Sequence, residues 1–315
     1  MGSRIKVGVI GVGSLGQHHA RVYAEMEEAE LVGVYDANKR RANKHARKHG
    51  VRAYDTIEEL AQDIDAASIV VPTDIHREVA GKLLEQGLHL LVEKPIASTT
   101  EEANELVQLA KAADAVLQVG HIERFNPVLA SLEDSDLPPR FIEAHRLSPY
   151  PPSRRGLPPR GTEVSVVLDL MIHDIEILLH LVGAPVKAIN AVGMPVLSPT
   201  EDICNARLSF ENGCVANVTA SRISPERMRK IRVFREDAYI SLDYMKQEGE
   251  MYTRNGKRIS RRKMPVKKEE PLASELRAFV QCVGSRGTPQ VTGEQAARAL
   301  EIAMEIVKIC QEGGS

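Results

Sequence analysis

The fold is decided by Ile5-Lys6-Val7-Gly8-Val9-Ile10-Gly11-Val12-Gly13-Ser14-Leu15-Gly16, close to the start of the chain. The stretch has the pattern of an apolar strand followed by a glycine-rich turn, and the apolar spacing after it predicts a helix. A second apolar strand, Leu31 to Tyr35, ends in Asp36, 20 residues after the last glycine of the turn. A GxGxxG turn between a strand and a helix, with an acid at the end of the next strand, indicates a dinucleotide-binding domain.

The residues of this turn have separate tasks in binding a dinucleotide. Gly11 permits the tight turn, Gly13 lets the backbone approach a pyrophosphate, and Gly16 lets the helix pack close to the strand. The N–H groups at the helix start, next to Ser14 and Leu15, face the phosphates. We therefore predict that the turn binds the pyrophosphate of the cofactor.

Asp36 predicts NAD rather than NADP as that cofactor. Its carboxylate would accept hydrogen bonds from the ribose hydroxyls and repel a 2′-phosphate. Lys39, Arg40 and Arg41 follow, and a basic cluster there is able to hold that phosphate. We interpret the three cations as the solvated face of the next helix.

Composition narrows the class of protein. The 315 residues suffice for two domains, and 41 basic side chains nearly balance 43 acidic ones, which gives no electrostatic case for binding nucleic acid or a membrane surface. No signal peptide and no membrane-spanning apolar run is predicted. The four cysteines lack metal-ligand spacing, so we predict reduced thiols, no metal site and a cytoplasmic location.

Two domains are predicted. Residues 1–120 alternate strands and helices, which indicates a doubly wound parallel sheet of six strands in an α/β, NAD-binding Rossmann domain. Residues 121–315 predict an α+β domain for substrate binding and oligomerisation, with an open, mainly antiparallel sheet and a last helix able to pack back on the first domain. Asn126-Pro127 starts a helix there, a long helix covers about 164–182, and Asn212-Gly213 is the signal for a type I′ hairpin, as is Asn255-Gly256.

The long helix carries a carboxylate and an imidazole four residues apart, Asp169 and His173, and these share one face. A carboxylate beside a histidine orients the ring and raises its pKa, as a base that removes a hydroxyl proton requires. The plain alternative is a helix-surface pair that contributes about 0.2–0.5 kcal/mol. Apolar residues nearly surround the pair, so we favour a buried cleft. Asp174 is the less favoured partner, because adjacent helical residues point apart.

Lys94 stands in the triplet Glu93-Lys94-Pro95 at the carboxyl end of a predicted parallel strand. Open α/β sheets bind their ligands at that edge, so Lys94 is a candidate for contact with the substrate. The alternative is an ordinary surface lysine at a strand end.

Taken together, these motifs resemble the glucose–fructose oxidoreductase/inositol dehydrogenase (Gfo/Idh/MocA) family over nearly the whole chain. The matching residues are Gly11, Gly13 and Gly16, Pro72, Thr73 and His76, Glu93-Lys94-Pro95, Gly120 to Pro127, and Asp169 with His173. The resemblance implies that Lys94, Asp169 and His173 are catalytic, and that Pro72, Thr73, His76, Glu93 and Lys94 contact NAD. It also implies a homodimer or homotetramer, in which the hairpin face with Asn205, Arg207, Ser209, Val215, Asn217 and Thr219 packs on its symmetry mate.

Within the family, residues 119–127 and 167–175 are similar to UDP-N-acetylglucosamine 3-dehydrogenases. That likeness implies oxidation at C3 of the nucleotide sugar to a 3-keto product, which a partner aminotransferase uses for lipid A-type glycolipids. The implied substrate contacts are His121, Glu123, Arg124, Asn126, Arg146, Tyr150 and Arg154. Arg146, Arg154, Arg155 and Arg160 suit a diphosphate, although a solvated basic loop is an equal alternative.

Two other functions stay open at this point. One is a dehydrogenase for a different polyol or cyclitol. The other is a non-catalytic NAD-binding sensor, which should lose a catalytic residue. The retention of Lys94, Asp169 and His173 together counts against the sensor.

Overall fold

The structure is a computed structural model that describes residues 4–130, 132, 138–153, 159 and 161–313. Up to residue 125 strands and helices alternate, as predicted. In chain order they are β1 (Ile5–Ile10), α1 (Gly16–Glu25), β2 (Ala29–Tyr35), α2 (Lys39–His49), β3 (Arg52–Ala53), α3 (Ile57–Ala61), β4 (Ala66–Ile69), α4 (His76–Leu84), β5 (His89–Glu93), α5 (Thr100–Ala112) and β6 (Leu117–Gly120). Short 3₁₀ turns cover Thr73–Ile75 and Ile122–Phe125.

The remaining part of the chain holds one large sheet and four helices among the described residues. In chain order the elements are α6 (Pro127–Ala130), β7 (Phe141–Leu147), a π-helical turn (Val167–Met171), α7 (Ile172–Val182), β8 (Val186–Met194), β9 (Ile203–Phe210), β10 (Val215–Ser221), β11 (Met228–Phe234), β12 (Ala238–Asp243), β13 (Glu248–Asn255), β14 (Arg258–Met264), α8 (Pro271–Ser285) and α9 (Gly293–Glu312).

The first sheet is parallel throughout, in the order β3-β2-β1-β4-β5-β6. This is a doubly wound sheet, as the alternation of strands and helices predicts, and the order reverses between β1 and β4. Ligands of such sheets bind beyond the carboxyl ends of the strands at that reversal. The glycine turn after β1 therefore lies at the edge where a dinucleotide binds.

Polar side chains cap the N-termini of two helices that pack on the first sheet, α3 and α2. The hydroxyl of Thr56 accepts a hydrogen bond from the N–H of Glu59 at 3.1 Å and starts α3. Asn38 likewise accepts from the N–H of Arg41 at 3.2 Å and starts α2. These caps fix where the helices begin relative to the strands they follow.

The chain forms two compact units. One comprises Met1–Phe125 with Glu270–Arg298, and the other comprises Asn126–Glu269 with Ala299–Ser315. Helix α8 returns to the first unit because its apolar face joins the core there. Leu276, Phe279 and Val280 are buried in the same cluster as Val7 and Tyr23. None of the described helices is both long and apolar enough to cross a lipid bilayer.

The second unit is built on an eight-stranded sheet in the order β14-β13-β12-β11-β7-β10-β9-β8. Among the described strands every neighbouring pair in it is antiparallel except β7 and β10. The predicted mainly antiparallel sheet is therefore confirmed. Strict alternation of buried and less buried residues along β9 gives the sheet one buried face and one open face.

The predicted type I′ turn at Asn212-Gly213 is wrong. Asn212 keeps a negative φ and only Gly213 is left-handed, at φ +84°. The N–H of Gly213 bonds the carbonyl of Phe210 at 3.0 Å, and the amide oxygen of Asn212 accepts from the N–H of Cys214 at 3.1 Å. A type I′ turn needs positive φ at both central residues, so the hairpin uses a longer loop whose last residue is the glycine.

Candidate active site

The geometry of the glycine turn fits a dinucleotide. Gly11 has φ +89°, and a Cβ on it would lie 2.4 Å from the carbonyl oxygen of Val70. A Cβ on Gly16 would lie 1.8 Å from the carbonyl oxygen of Gly11, so the start of α1 packs directly on the turn. A Cβ on Gly13 would meet only the tip of Arg41, at 3.2 Å, among the described residues. The space beside Gly13 is thus open to a pyrophosphate, whereas that beside Gly11 and Gly16 is filled by protein.

Asp36 lies at the end of β2 and ties this strand to the turn. Its carboxylate accepts hydrogen bonds from the N–H of Val12 at 3.0 Å and from the N–H of Asn38 at 2.8 Å. Arg41 Nη1 lies 3.5 Å from Asp36 Oδ2. Lys39, Arg40 and Arg41 are all exposed, as predicted for a solvated helix face. Two of them form surface ion pairs there: Arg41 pairs with Asp36, and Lys39 bonds Asp55 at 2.6 Å. Arg41 is the cation that a 2′-phosphate would meet first.

Lys94 follows β5 and is half-buried. Its own backbone N–H bonds the Glu93 carboxylate at 3.3 Å, and the Lys94–Pro95 peptide is cis. His76 is nearly fully buried, with Nδ1 3.0 Å from the carbonyl oxygen of Pro95 and Nε2 3.0 Å from that of Val71. Burial lowers the pKa of His76, so its neutral ring donates to one of these carbonyls. His76 therefore holds two loops together, whereas the neighbouring Pro72 is exposed and Thr73 is half-buried. The predicted cofactor contacts of Pro72 and Thr73 stay a prediction.

His121 is brought to Lys94 by the end of β6. It is 1% exposed, and burial, reinforced by the positive charges of Lys94 and Arg124, lowers its pKa to about 3. The ring is therefore neutral over the physiological pH range. It gives Lys94 an uncharged polar neighbour.

The buried His121 makes stability depend on pH. The unfolded chain takes up its proton near pH 6.5 and the folded chain only near pH 3, so this contribution is full above about 6.5 and is lost as the pH falls. When the pH falls from 6.5 to 5.5, we expect the unfolding free energy of the parent to decrease by about 1 kcal/mol more than that of His121→Gln. Urea unfolding at both pH values measures this difference. Equal losses in the two proteins would contradict the assignment.

The residues after His121 are buried as well. Glu123 and Arg124 are 5% and 7% exposed, and the carbonyl of Arg124 accepts from Gln290 at 3.3 Å. In the second unit, Asn126 accepts from the N–H of Val128 at 3.3 Å and donates to the carbonyl of Tyr244 at 3.1 Å. Asn126 caps α6 as predicted, and its amide is used by the protein itself.

Asp169 and His173 lie where the long helix changes its winding. The N–H of Ile172 bonds the carbonyl of Val167, five residues back, which widens the turn that carries Asp169. Both side chains are half-buried, in a helix most of whose residues are buried or half-buried. Widened turns of this kind are frequent at functional sites because they change the direction of side chains.

Gly161 packs directly against Asp169. It has φ +82°, and a Cβ on it would lie 2.5 Å from Asp169 Oδ2. Any other residue at 161 would displace the carboxylate as well as strain the backbone. The position of Asp169 therefore depends on this glycine.

A buried ion pair that sequence reasoning missed holds Gly161 in place. Arg222 bonds Asp202 at 2.7 Å and donates to the carbonyls of Gly161 at 2.5 Å and Val164 at 2.9 Å. Burial by itself would raise the pKa of Asp202, but hydrogen bonds from Ser198, Arg222 and loop N–H groups hold it well below its usual range. The pair has no local sequence motif, because Arg222 and Asp202 are 20 residues apart and come together only when the protein folds.

The predicted role of Arg146 in binding a diphosphate finds no support in the structure. The guanidinium bonds Asp174 through Nε at 2.7 Å and Nη2 at 3.1 Å, and both side chains are buried. Asp174 needs this cation because an uncompensated charge in the core is costly. Tyr150 is half-buried and donates to the carbonyl of Leu197 at 3.3 Å. Arg154, Arg155 and Arg160 lie outside the described residues.

Comparison with known proteins identifies the family to which the chain belongs. Residues 5–121 match the oxidoreductase family with an NAD-binding Rossmann fold, and residues 138–241 match the GFO/IDH/MocA C-terminal domain. The UDP-N-acetylglucosamine 3-dehydrogenase of Acidithiobacillus ferrooxidans is 34% identical, with 96% of each chain covered. A solved structure of that enzyme superposes with a TM-score of 0.92 over 99% of each chain.

More distant relatives share the fold. The NAD(+)-dependent scyllo-inositol 2-dehydrogenase of Bacillus subtilis is 28% identical, covering 99% of this chain and 96% of the relative. A levoglucosan dehydrogenase in complex with NADH and levoglucosan is 20% identical and superposes with a TM-score of 0.88 over 98% of each chain.

Proposed function

Because this chain belongs to the Gfo/Idh/MocA family of oxidoreductases and is an NAD-dependent sugar dehydrogenase, we propose that it oxidises the C3 hydroxyl of UDP-N-acetylglucosamine. The product is the 3-keto nucleotide sugar. The observation that carries the proposal is the full-length likeness to an enzyme of that specificity, at 34% identity over 96% of each chain. It is supported by the presence of Lys94, Asp169 and His173 together in this sequence.

Each of these side chains has one step in the proposed mechanism. His173 takes the proton of the C3 hydroxyl, and Asp169, four residues earlier on the helix, orients its ring and stabilises the imidazolium. Lys94 donates a hydrogen bond to the same oxygen and stabilises its developing negative charge. NAD, when bound at the glycine turn, supplies the hydride acceptor.

NAD(H) should bind well ahead of NADP(H), because the Asp36 carboxylate repels a 2′-phosphate. Asp36→Asn keeps an oxygen that accepts the N–H of Val12 but removes the negative charge. We therefore expect the ratio of the affinities for NAD(H) and NADP(H) to fall by about tenfold, the equivalent of about 1.4 kcal/mol. Calorimetric titration of both cofactors measures it. Arg41→Ala is the matched variant, and it should weaken only NADP(H). Preference of the parent for NADP(H) would mean that Arg41 outweighs Asp36.

The likeness to UDP-N-acetylglucosamine 3-dehydrogenase supports a nucleotide sugar as the class of substrate. Inositol and levoglucosan dehydrogenases share the fold, so a free cyclitol or sugar is the second candidate. The basic segment with Arg154, Arg155 and Arg160 suits the diphosphate of a nucleotide sugar, because guanidinium groups bind a diphosphate bidentately, although a solvated basic loop is an equal interpretation of that sequence. A non-catalytic sensor would bind NAD and reduce none of it with any of these substrates.

We also infer which class of enzyme uses the 3-keto product. A ketone at C3 condenses with an amine, so an aminotransferase is the class of enzyme that would consume it, towards an amino sugar for lipid A-type glycolipids. The likeness to UDP-N-acetylglucosamine 3-dehydrogenase supports this inference.

The open face of the large sheet is the proposed site of self-association. A row of aromatic rings in contact crosses four of its strands, with centroids of neighbouring rings 4.6–5.4 Å apart. The rings are Phe141, Phe234, Tyr239 and Tyr252. Val192 and Met194 on the edge strand β8 are 62% and 55% exposed, and they lie on the same face as Asn205. A two-fold contact would bury this broad surface against its own copy.

Light scattering at low micromolar concentration tests this association. We expect the mass of a dimer or of a dimer of dimers. A monomeric mass would mean that the face, including Arg207, Asn217 and Thr219, is ordinary solvated surface.

A further inference from the structure

A chain of hydrogen bonds runs inside the first unit from α1 to the residue before Lys94. The hydroxyl of Tyr23 lies 2.9 Å from Ser68 Oγ, which lies 3.2 Å from His19 Nδ1. His19 Nε2 lies 3.1 Å from Glu93 Oε1, and Glu93 Oε2 accepts the backbone N–H of Lys94 at 3.3 Å. Three separate elements, α1, β4 and β5, are thereby joined at the carboxyl edge of the sheet.

One neutral imidazole satisfies every contact in this chain. If the ring carries its proton on Nε2, it donates to the Glu93 carboxylate and accepts from Ser68, which in turn accepts from Tyr23. His19 is 1% exposed and Ser68 is fully buried, so water does not compete with these bonds. In this arrangement every hydrogen bond is donated in the same direction, from Tyr23 through Ser68 and His19 to Glu93.

The surroundings of Glu93 confine its carboxylate to this position. A Cβ on Gly120 would lie 3.0 Å from Glu93 Cδ and Oε2, so a larger residue at position 120 would crowd the carboxylate. Glu275 is fully buried nearby, with neither carboxylate oxygen hydrogen-bonded among the described residues. Burial, with the charge of Glu93, raises the pKa of Glu275 well above its usual range.

We propose that His19 is a positioning residue for catalysis, which holds Glu93 and through it the backbone of Lys94 in the place that the reaction requires. The proposal rests on the proposed role of Lys94 as the group that binds the reacting oxygen. A charge-assisted hydrogen bond from a buried ring is directional, and a displacement of a catalytic group by about 1 Å can lower the rate about 100-fold. His19 itself then acts at a distance from the substrate.

Two amide substitutions separate positioning from simple packing. The side-chain nitrogen of Gln matches Nε2 of histidine, whereas that of Asn matches Nδ1. His19→Gln therefore keeps a donor for Glu93, and His19→Asn loses it. We expect His19→Asn to lower kcat by about 10–100-fold with KM for the sugar and affinity for NAD nearly unchanged, and His19→Gln to stay within about threefold of the parent.

Two further measurements make the result independent of folding and of substrate. Gly120→Ala places a methyl group about 3.0 Å from the same carboxylate and should reproduce the loss in kcat expected for His19→Asn. Reductive methylation with ¹³C, with the Lys94 signal assigned from Lys94→Arg, reports the surroundings of Lys94 by NMR. That signal should shift in His19→Asn and stay in place in His19→Gln.

The outcomes separate this inference from the proposed function. If Lys94→Ala keeps the kcat of the parent, the role of Lys94 is wrong, and so is the proposal that depends on it. If Lys94→Ala is inactive while His19→Asn keeps both the parent kcat and the Lys94 signal, only the positioning role is overturned. Equal losses in His19→Asn and His19→Gln, with an unshifted signal, would likewise reduce His19 to a packing residue.

Discussion

Replacing His173 by alanine lowers turnover by about 10²–10⁴-fold and leaves NAD affinity unchanged, if the ring is the base for the hydroxyl proton. The size of the loss follows from what a positioned base contributes, since water must then take the proton. NAD affinity persists because the glycine turn and Asp36 belong to the other unit of the chain. Steady-state kinetics with UDP-N-acetylglucosamine and a separate NAD titration measure the two effects.

His180→Ala is the matched control for this variant. His180 lies on the same helix, is exposed, and has no place in the proposed mechanism. It should keep the turnover of the parent. Wild-type turnover in His173→Ala would show that another group removes the proton.

Replacing Lys94 by alanine should cause a loss of comparable size, about 10²–10³-fold in kcat, because it removes the donor that stabilises the developing negative charge. Lys94→Met removes the charge but keeps most of the length, so it should lose as much as alanine. Affinity for the nucleotide sugar should change less than kcat, since the interaction strengthens only as charge develops. Kinetics of both variants, with KM and kcat separated, test this.

Lys82→Ala controls for the loss of a lysine from the same unit. Lys82 is exposed on α4 and pairs with Glu78 at 2.7 Å, a surface pair worth little. It should leave kcat unchanged. A Lys94→Met enzyme with near-parental kcat would remove the electrostatic role from the mechanism.

Local patterns in the sequence were sufficient for the first sheet. The strand from Ile5 to Ile10 has the predicted bounds, since its apolar run and the glycine turn are set by neighbouring residues. The return of α8 to the first unit could not be predicted in this way. Its amphipathic pattern shows that Leu276 and Phe279 need a core, but not which core.

In the candidate active site, too, some residues could be predicted from local sequence and others could not. Asp169, His173 and Lys94 stand out from sequence because their motifs are short and local. Arg146 is predicted to bind a diphosphate because it lies beside an arginine-rich segment, whereas folding pairs it with Asp174, 28 residues away. The link from Arg222 to Gly161 spans 61 residues and has no sequence signature.

His19 is an intermediate case. Its position at helical spacing among apolar residues marks it as inward-facing, and a histidine there needs partners when buried. The sequence could not name Ser68 and Glu93 as those partners, because the strands that carry them are ordered only in the folded sheet.

The most direct test of the central claim is the reduction of NAD by the purified protein with a panel of substrates. UDP-N-acetylglucosamine, free N-acetylglucosamine, UDP-glucose and myo-inositol are compared by kcat/KM, and the product is identified by mass and NMR. We predict a 3-keto UDP-sugar, with UDP-N-acetylglucosamine at least about 100-fold ahead of the free sugar and the inositol, because the diphosphate and uridine supply binding that these lack. Faster reduction with myo-inositol or free sugar, or oxidation at a carbon other than C3, would contradict the account.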